Sequence, residues 1–377
     1  TFYSAEGSSL CIRAMVYLAL LYSKETGRQP KILAGRNAHK TFLTSAALLD
    51  CKIQWLFPRN RENLLSCPIT PEELDTALSE ESAPIAAVYL TSPDYLGNRV
   101  DLTGLSEICK KHKTLLMVDN AHGAYLNFLS PSLHPMTLGA DLCCDSAHKT
   151  LPVLTGGAYL HFSTKAPASL ISMAESALSV FASTSPSYLI LQSLDYANQI
   201  LAGNYRERLA RCITWTEALK QQLPDLQPLF RGNEPLKLTL APKEFGYTGR
   251  EVADFLQKRG IIPEFSDPDF LVLMISPEIS EQEITRLQKT LATLIPRKLI
   301  PNQPPLPLRP ETVCSPREAL LSPQEEKNVQ ACLGRILGTP TVSCPPAVPI
   351  LVCGERIDKT AIACLEYYGI QTCRVLK

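Results

Sequence analysis

The chain has 377 residues, 45% apolar and 20% charged, with 37 Lys+Arg against 37 Asp+Glu. At ~150 residues per domain that is two or three domains, with mass enough for a buried core. The charge balance leaves no field to draw nucleic acid or anionic lipid, and the longest apolar runs, such as Met15 to Tyr22, fall far short of the ~20 residues a membrane helix needs. Neither nucleic acid nor membrane is therefore an expected partner. Residue 1 is Thr and no basic-then-apolar leader follows it, so the chain is expected to lack its N-terminal segment. Its 13 cysteines include no Cys-x-x-Cys pair and no Cys/His spacing of a zinc site. Buried, reduced thiols in a cytosolic protein, with no metal, are the expectation.

In chain order, residues 9–23 predict a core helix, with Leu10, Ala14, Leu18 and Leu21 at helical spacing behind Gly7-Ser8-Ser9. Thr70-Pro71-Glu72-Glu73 opens a second helix as a capping box with Pro in the first turn. Ile85 to Leu90 reads as a buried strand, Asp101 caps a helix, and Thr114 to Val118 is the next strand. That is a βαβ unit, which implies a parallel sheet. Leu142–Cys144 and Gly157–Phe162 extend the strand series, giving an α/β layered architecture.

The pattern changes near residue 230. Leu236 to Leu240 is a strand, Thr248-x-x-Glu251 opens a helix ending at Gly260, strands follow near Ile261–Phe265 and Phe270–Ile275, and Ser280-x-x-Glu283 opens another helix. Residues 296–349, with Pro301, Pro304, Pro305, Pro307 and Pro310, read as extended chain draped on the surface. The division is thus 1–230 as a large cofactor-binding α/β domain, 231–298 as a small α+β domain, and 299–377 as a proline-rich connection with an α/β tail.

Sites in open α/β sheets lie at the carboxyl ends of the strands. Asp119-Asn120-Ala121-His122-Gly123 leaves one apolar strand, and a carboxylate there wants a cationic partner. Ser146-Ala147-His148-Lys149-Thr150 leaves another, where partial desolvation makes a lysine nucleophilic. Gly7-Ser8-Ser9, at a helix start, suits a phosphate. Taken singly these are ordinary caps and surface charges. Acid, lysine and phosphate cradle together point to pyridoxal 5'-phosphate, with the acid keeping the ring nitrogen protonated.

The order of the motifs resembles the ornithine/lysine/arginine decarboxylase family, fold type I pyridoxal-phosphate enzymes of the aspartate aminotransferase architecture. Ser146 to Thr155 is similar to that family's cofactor-lysine motif, Gly35-Arg36-Asn37-Ala38-His39-Lys40-Thr41 to its ring-stacking histidine segment, and Asp119 to Gly123 to its Asp-Glu-Ala-His-Gly. Ser183-Thr184-Ser185-Pro186-Ser187-Tyr188, Gly246-Tyr247-Thr248-Gly249, Ser315 to Ala319 and Gly354-Glu355-Arg356-Ile357 follow in the family's order.

The resemblance implies a mostly parallel sheet of the seven-stranded type with helices on both faces, plus a smaller α+β domain. It also implies decarboxylation of arginine, lysine or ornithine to an amine, as in polyamine biosynthesis, by a homodimer or higher homo-oligomer with shared sites. On that basis Lys149 binds the cofactor aldehyde as a Schiff base, Asp119 pairs with the pyridine nitrogen and His39 stacks on the ring. Ser8, Ser9 and Ser146 surround the phosphate, Ser183 or Thr184 reaches it from the partner subunit, and Ala121 completes the cofactor contacts. His148 is favoured over His122 for proton delivery. His122 and Glu264 face the substrate, Glu264 at its distal amine.

Four positions depart from the family: Glu6 for Asn, an anion beside a phosphate site; Asn120 for Glu; and Gly156-Gly157 for bulkier residues, expected to widen the pocket or loosen the loop. Another fold type I reaction is the alternative, transamination, with Arg356 or Arg374 for the α-carboxylate, or β-elimination. A degenerate partner subunit is a third possibility. A hydrolase built on Ser9, His122 and Asp119 lacks the Gly-x-Ser-x-Gly elbow.

Overall fold

The computed structural model describes residues 1–306, 309–340 and 347–377; Pro307 and Cys344 lie outside the described residues. The described residues pack into two compact units, one of 1–94, 100–199 and 305–377, the other of 95–99 and 200–304. Composition draws its lines at 230 and 298 instead.

The first unit is built on a seven-stranded sheet: β1 (Phe2–Ser4), β2 (Gln29–Gly35), β3 (Lys52–Leu56), β4 (Ile85–Thr91), β5 (Leu115–Asp119), β6 (Leu142–Asp145) and β7 (Ala158–Phe162). Their order across the sheet is β1-β7-β6-β5-β4-β2-β3. The pairs from β3 to β6 are parallel, and β7 runs antiparallel to both β6 and β1. The helices are α1 (Gly7–Thr26), α2 (Lys40–Leu48), α3 (Pro71–Ser79), α4 (Leu102–Lys111), the short α5 (Ala147–Thr150), α6 (Ala168–Ser172), α7 (Ala174–Ser179) and α8 (Tyr188–Ala202).

Strand residues alternate between two cores, as a sheet covered on both faces requires. Ile32, Ala34, Ala87, Tyr89, Met117 and Cys144 pack on α1 and α2. Leu33, Val88, Leu90, Leu116 and Val118 pack on α3 and α4. The chain goes outward from β2 to β3, then crosses to β4 and proceeds the other way. The strand order therefore reverses beside β2, where such sheets bind ligands.

The second unit holds α9 (Tyr205–Gln221) and an antiparallel sheet, β8 (Phe230–Arg231), β9 (Lys237–Leu240), β10 (Phe265–Ser266) and β11 (Leu271–Met274), with α10 (Gly249–Gln257) and α11 (Glu281–Leu291). Both predicted capping boxes are present, at Thr248/Glu251 and Ser280/Glu283.

The proline-rich stretch departs from expectation. It returns to the first unit and contains α12 (Pro316–Leu321), β12 (Gln324–Asn328) and β13 (Leu337–Thr339). Ser315-Pro316-Arg317-Glu318 is itself a capping box with Pro at the first helical position, where a missing N–H costs nothing. With β14 (Thr372–Leu376) these strands form a small sheet, β12-β14-β13, next to α13 (Lys359–Tyr367). Among the described residues no helix is long and apolar enough to cross a membrane. The described cysteines are free thiols, all buried except the half-buried Cys314.

One core contact bears directly on the site. Phe42 of α2 stacks on Tyr89 of β4, ring centroids 4.1 Å apart, and the Tyr89 hydroxyl donates to Asp119 at 3.1 Å. Phe42→Ala is expected to cost about 3–5 kcal/mol in denaturant unfolding. Because Tyr89 loses its backing, its hydrogen bond to Asp119 should weaken along with stability.

Candidate active site

Asp119 ends β5 and is 2% exposed. Its Oδ2 accepts from the Tyr89 hydroxyl, and its Oδ1 accepts from the Ala121 N–H at 3.1 Å and the Cys144 thiol at 3.7 Å. These donors replace the water that an anion would otherwise keep.

His39 follows β2 and caps α2, its Nδ1 accepting from the Thr41 N–H at 3.2 Å. That bond leaves the ring proton on Nε2 in the neutral form. The Thr41 hydroxyl lies 2.9 Å from His39 Nδ1 and 3.3 Å from the Ser9 hydroxyl, tying the imidazole to the first turn of α1. Burial pushes the His39 imidazole below its ordinary 6.5; Asp119 opposes this, and Lys149 and Lys40 add to it.

Lys149 and His148 lie on α5, directly after β6. Lys149 Nζ is 3.0 Å from His122 Nε2. His148 is turned the other way, with Nδ1 donating to the Gly157 carbonyl at 3.0 Å, which leaves Nε2 as its basic nitrogen. Burial lowers the His148 pKa, against that hydrogen bond and with the help of Lys149. The contact with the lysine thus belongs to His122, whereas the sequence favoured His148 as the neighbour.

The Ser146 hydroxyl donates to Ser8 at 2.7 Å, joining β6 to the start of α1. The Gly7 N–H donates to the Gly156 carbonyl at 2.7 Å. Gly156 has φ +100°, and a Cβ there would lie 3.2 Å from the Ala5 carbonyl oxygen. The Gly156-Gly157 pair therefore pins the lysine loop to α1 and His148 rather than loosening it.

Other predicted residues fall as follows. Glu6 is no bare anion at the helix start: its carboxylate accepts from the Ser183 N–H at 2.7 Å. Ser183 and Thr184 are exposed. Glu264, exposed in the second unit, accepts from the Tyr95 hydroxyl at 2.9 Å. Arg356 is held by Glu311, and Arg374 is exposed on β14. The hydrolase triad does not form, since Ser9 meets Thr41, Asp119 meets Tyr89 and His122 meets Lys149.

Sequence reasoning missed Asp145, although it too is a charge ending an apolar strand. It is fully buried. His134 Nε2 and His161 Nε2 lie 3.0 and 3.2 Å from its Oδ2, and Asn120 donates to Oδ1 at 2.7 Å. Burial alone would raise the Asp145 pKa, but the two histidines hold it well below the usual carboxylate range. His134, Cys143 and Asp145 also lie close enough to suggest a metal cluster. However, His134 Nδ1 accepts from the Met136 N–H, so its Nε2 carries a proton toward Asp145, where a metal would need a lone pair. The cluster is a charge-compensating network.

The residues fit pyridoxal 5'-phosphate. A desolvated carboxylate, an amine and a neutral imidazole lie at or just past the carboxyl ends of β5, β6 and β2 of one sheet. Beside them α1 starts with serine hydroxyls and has no side-chain cap on its first turn, leaving that end suited to a phosphate.

Comparison with known proteins agrees. A family model described as Orn/Lys/Arg decarboxylase, major domain, matches residues 1–240. An arginine decarboxylase of Bacillus subtilis is 28% identical over 386 residues, covering 96% of this chain and 76% of that protein. The solved lysine decarboxylase A from Pseudomonas aeruginosa superposes with TM-score 0.79 at 17% identity, over 100% of this chain and 69% of that one. The E. coli constitutive lysine decarboxylase gives 0.75 at 17%, over 100% and 70%. The two structures show the fold.

A depressed histidine pKa stabilises the fold above the unfolded value and loses that contribution as pH falls, because the unfolded chain takes up the proton first. The melting temperature of the cofactor-free protein should therefore drop as pH falls below 6.5. His39→Asn should shallow that drop. An unchanged slope would show that His39 is not buried in its neutral form.

Proposed function

We propose that this chain, which belongs to the Orn/Lys/Arg decarboxylase family, removes the α-carboxylate of a basic amino acid as carbon dioxide and releases the amine. The family is pyridoxal-phosphate-dependent. Arginine is the first substrate to test, since the relative at 28% identity is named an arginine decarboxylase. The observation that carries the proposal is the grouping of His39, Asp119 and Lys149 with His122 behind strand ends of one sheet, in the setting that this cofactor needs.

Lys149 would hold the cofactor aldehyde, Asp119 its ring nitrogen, His39 its ring face, and Ser8, Ser9 and Ser146 its phosphate, with Ala121 in contact. When bound, the group supplies an electron sink for the pair left as the bond to carbon dioxide breaks. The protein has to do the rest. Asp119, whose carboxylate accepts from three donors, would hold a positive charge on the ring nitrogen. The neutral His39 presents a flat surface without repelling that charge. Lys149, 3.0 Å from His122, would have that imidazole as the group that takes up or returns its proton. His148, once its Nε2 has taken up a proton from solvent, is the donor proposed for the α-carbon.

We also propose a homodimer with shared sites. Val180, just past α7, and Tyr188, Leu189 and Tyr196 of α8 are exposed on either side of Ser183 and Thr184 in the chain, which would reach the partner's phosphate site. The free cysteines support a cytosolic setting.

The wild-type protein loaded with pyridoxal phosphate should show the visible absorbance band of a lysine-bound cofactor, and Lys149→Ala should lack it. Arginine, lysine and ornithine, supplied separately, should yield carbon dioxide and one amine. Keto acid in place of amine would indicate transamination. A band in Lys149→Ala would move the site elsewhere, and no band in wild type would favour a non-catalytic partner subunit.

A further inference from the structure

The connection between β2 and α2 carries His39, and two of its four residues, together with the first residue of α2, are held from elsewhere. Asn37 donates to the Leu65 carbonyl at 3.2 Å. The Lys40 N–H donates to the Ala347 carbonyl at 2.9 Å. Arg36 donates to the carbonyls of Pro349 at 3.4 Å and Ile350 at 3.2 Å, and to Glu355 Oε2 at 3.0 Å. The same Glu355 oxygen accepts the Val352 N–H at 2.8 Å. The Arg36 guanidinium also lies over the Trp55 ring, 5.1 Å from its centroid. Both ion-pair side chains are 1% exposed. The imidazole-bearing loop is thus seated on residues 347–355, some three hundred positions along the chain, within the same compact unit.

A buried ion pair is a poor route to stability, because desolvating both ions offsets most of their attraction and apolar side chains of equal volume often serve as well. What the pair supplies is direction. A guanidinium fork with three fixed acceptors leaves its backbone little freedom.

We propose that Arg36 and Glu355 are positioning residues that set the His39 imidazole against the cofactor ring, making segment 347–355 a working part of the cofactor site. The proposal rests on the ring-stacking role of His39 given above. The coupling runs from Glu355 to Arg36, through two backbone residues, to His39. Neither charged residue touches the reacting atoms.

Two full-length variants separate position from stability. Glu355→Gln leaves Arg36 buried without its counter-ion and should lower the melting temperature. The double variant Arg36→Met/Glu355→Leu removes both charges and should recover it. Two readouts are taken on each. The first is the His39 titration by NMR in cofactor-free protein, one of six histidines. The second is the dissociation constant of pyridoxal phosphate, with the visible circular dichroism of the bound form.

We expect the His39 pKa to move up toward 6.5 in both variants. Cofactor affinity should fall about tenfold, with altered dichroism, in the thermally recovered double variant as well. Adding the double variant to His39→Ala should produce little further loss. Wild-type titration and affinity in the recovered double variant would overturn the proposal and leave the cofactor assignment standing. Failure of wild type itself to bind pyridoxal phosphate would overturn both, and a moved His39 titration would then still show the mechanical link.

Discussion

A carboxylate at the end of a strand covered on both faces must be solvated by protein or not be charged at all. Asp119 is in that position, and much of the first unit follows from satisfying it. Tyr89 reaches it because β4 and β5 pair in parallel with Thr91 opposite Asp119, placing Tyr89 beside Met117 on the same face. Phe42 then backs Tyr89, which fixes where α2 lies, and α2 begins at His39. An anion, a phenol, an aromatic stack and a helix start form one chain of dependence, and its two ends are groups assigned to the same cofactor.

Small hydroxyl and carbonyl links close the rest of the site. Ser9–Thr41–His39 and Ser146–Ser8 tie two strand ends to the start of α1, and Gly7–Gly156 ties the loop after Lys149 to the same point. None is individually strong. Together they hold the lysine, the imidazole and the uncapped helix end on rigid elements, as a binding constellation requires.

Local rules read well where the signal is local. The capping boxes at Thr70, Thr248 and Ser280 each start the predicted helix, and the apolar runs of β4, β5 and β6 are strands. The same rule was available at Ser315 but was hidden by the surrounding prolines. At the site, Asp119 and Lys149 stood out as charges leaving apolar strands. Tyr89, inside such a strand, gave no sign of its polar task, and Thr41 gave none of its link between His39 and Ser9. Arg36 and Glu355 are paired across 319 positions, and no window of sequence contains both.

The Asn120–Asp145 bond has a consequence for how this chain could have diverged. Asn120 gives its amide N–H to a carboxylate that two histidines keep ionised. A glutamate at 120, as in the family pattern the motif resembles, would set a second anion against Asp145 in a space closed to water, and like charges there repel strongly. A carboxylate at position 120 fits this network only where 145 carries no charge. Asn120 and Asp145 are thus coupled: the side chain acceptable at one depends on the charge carried at the other.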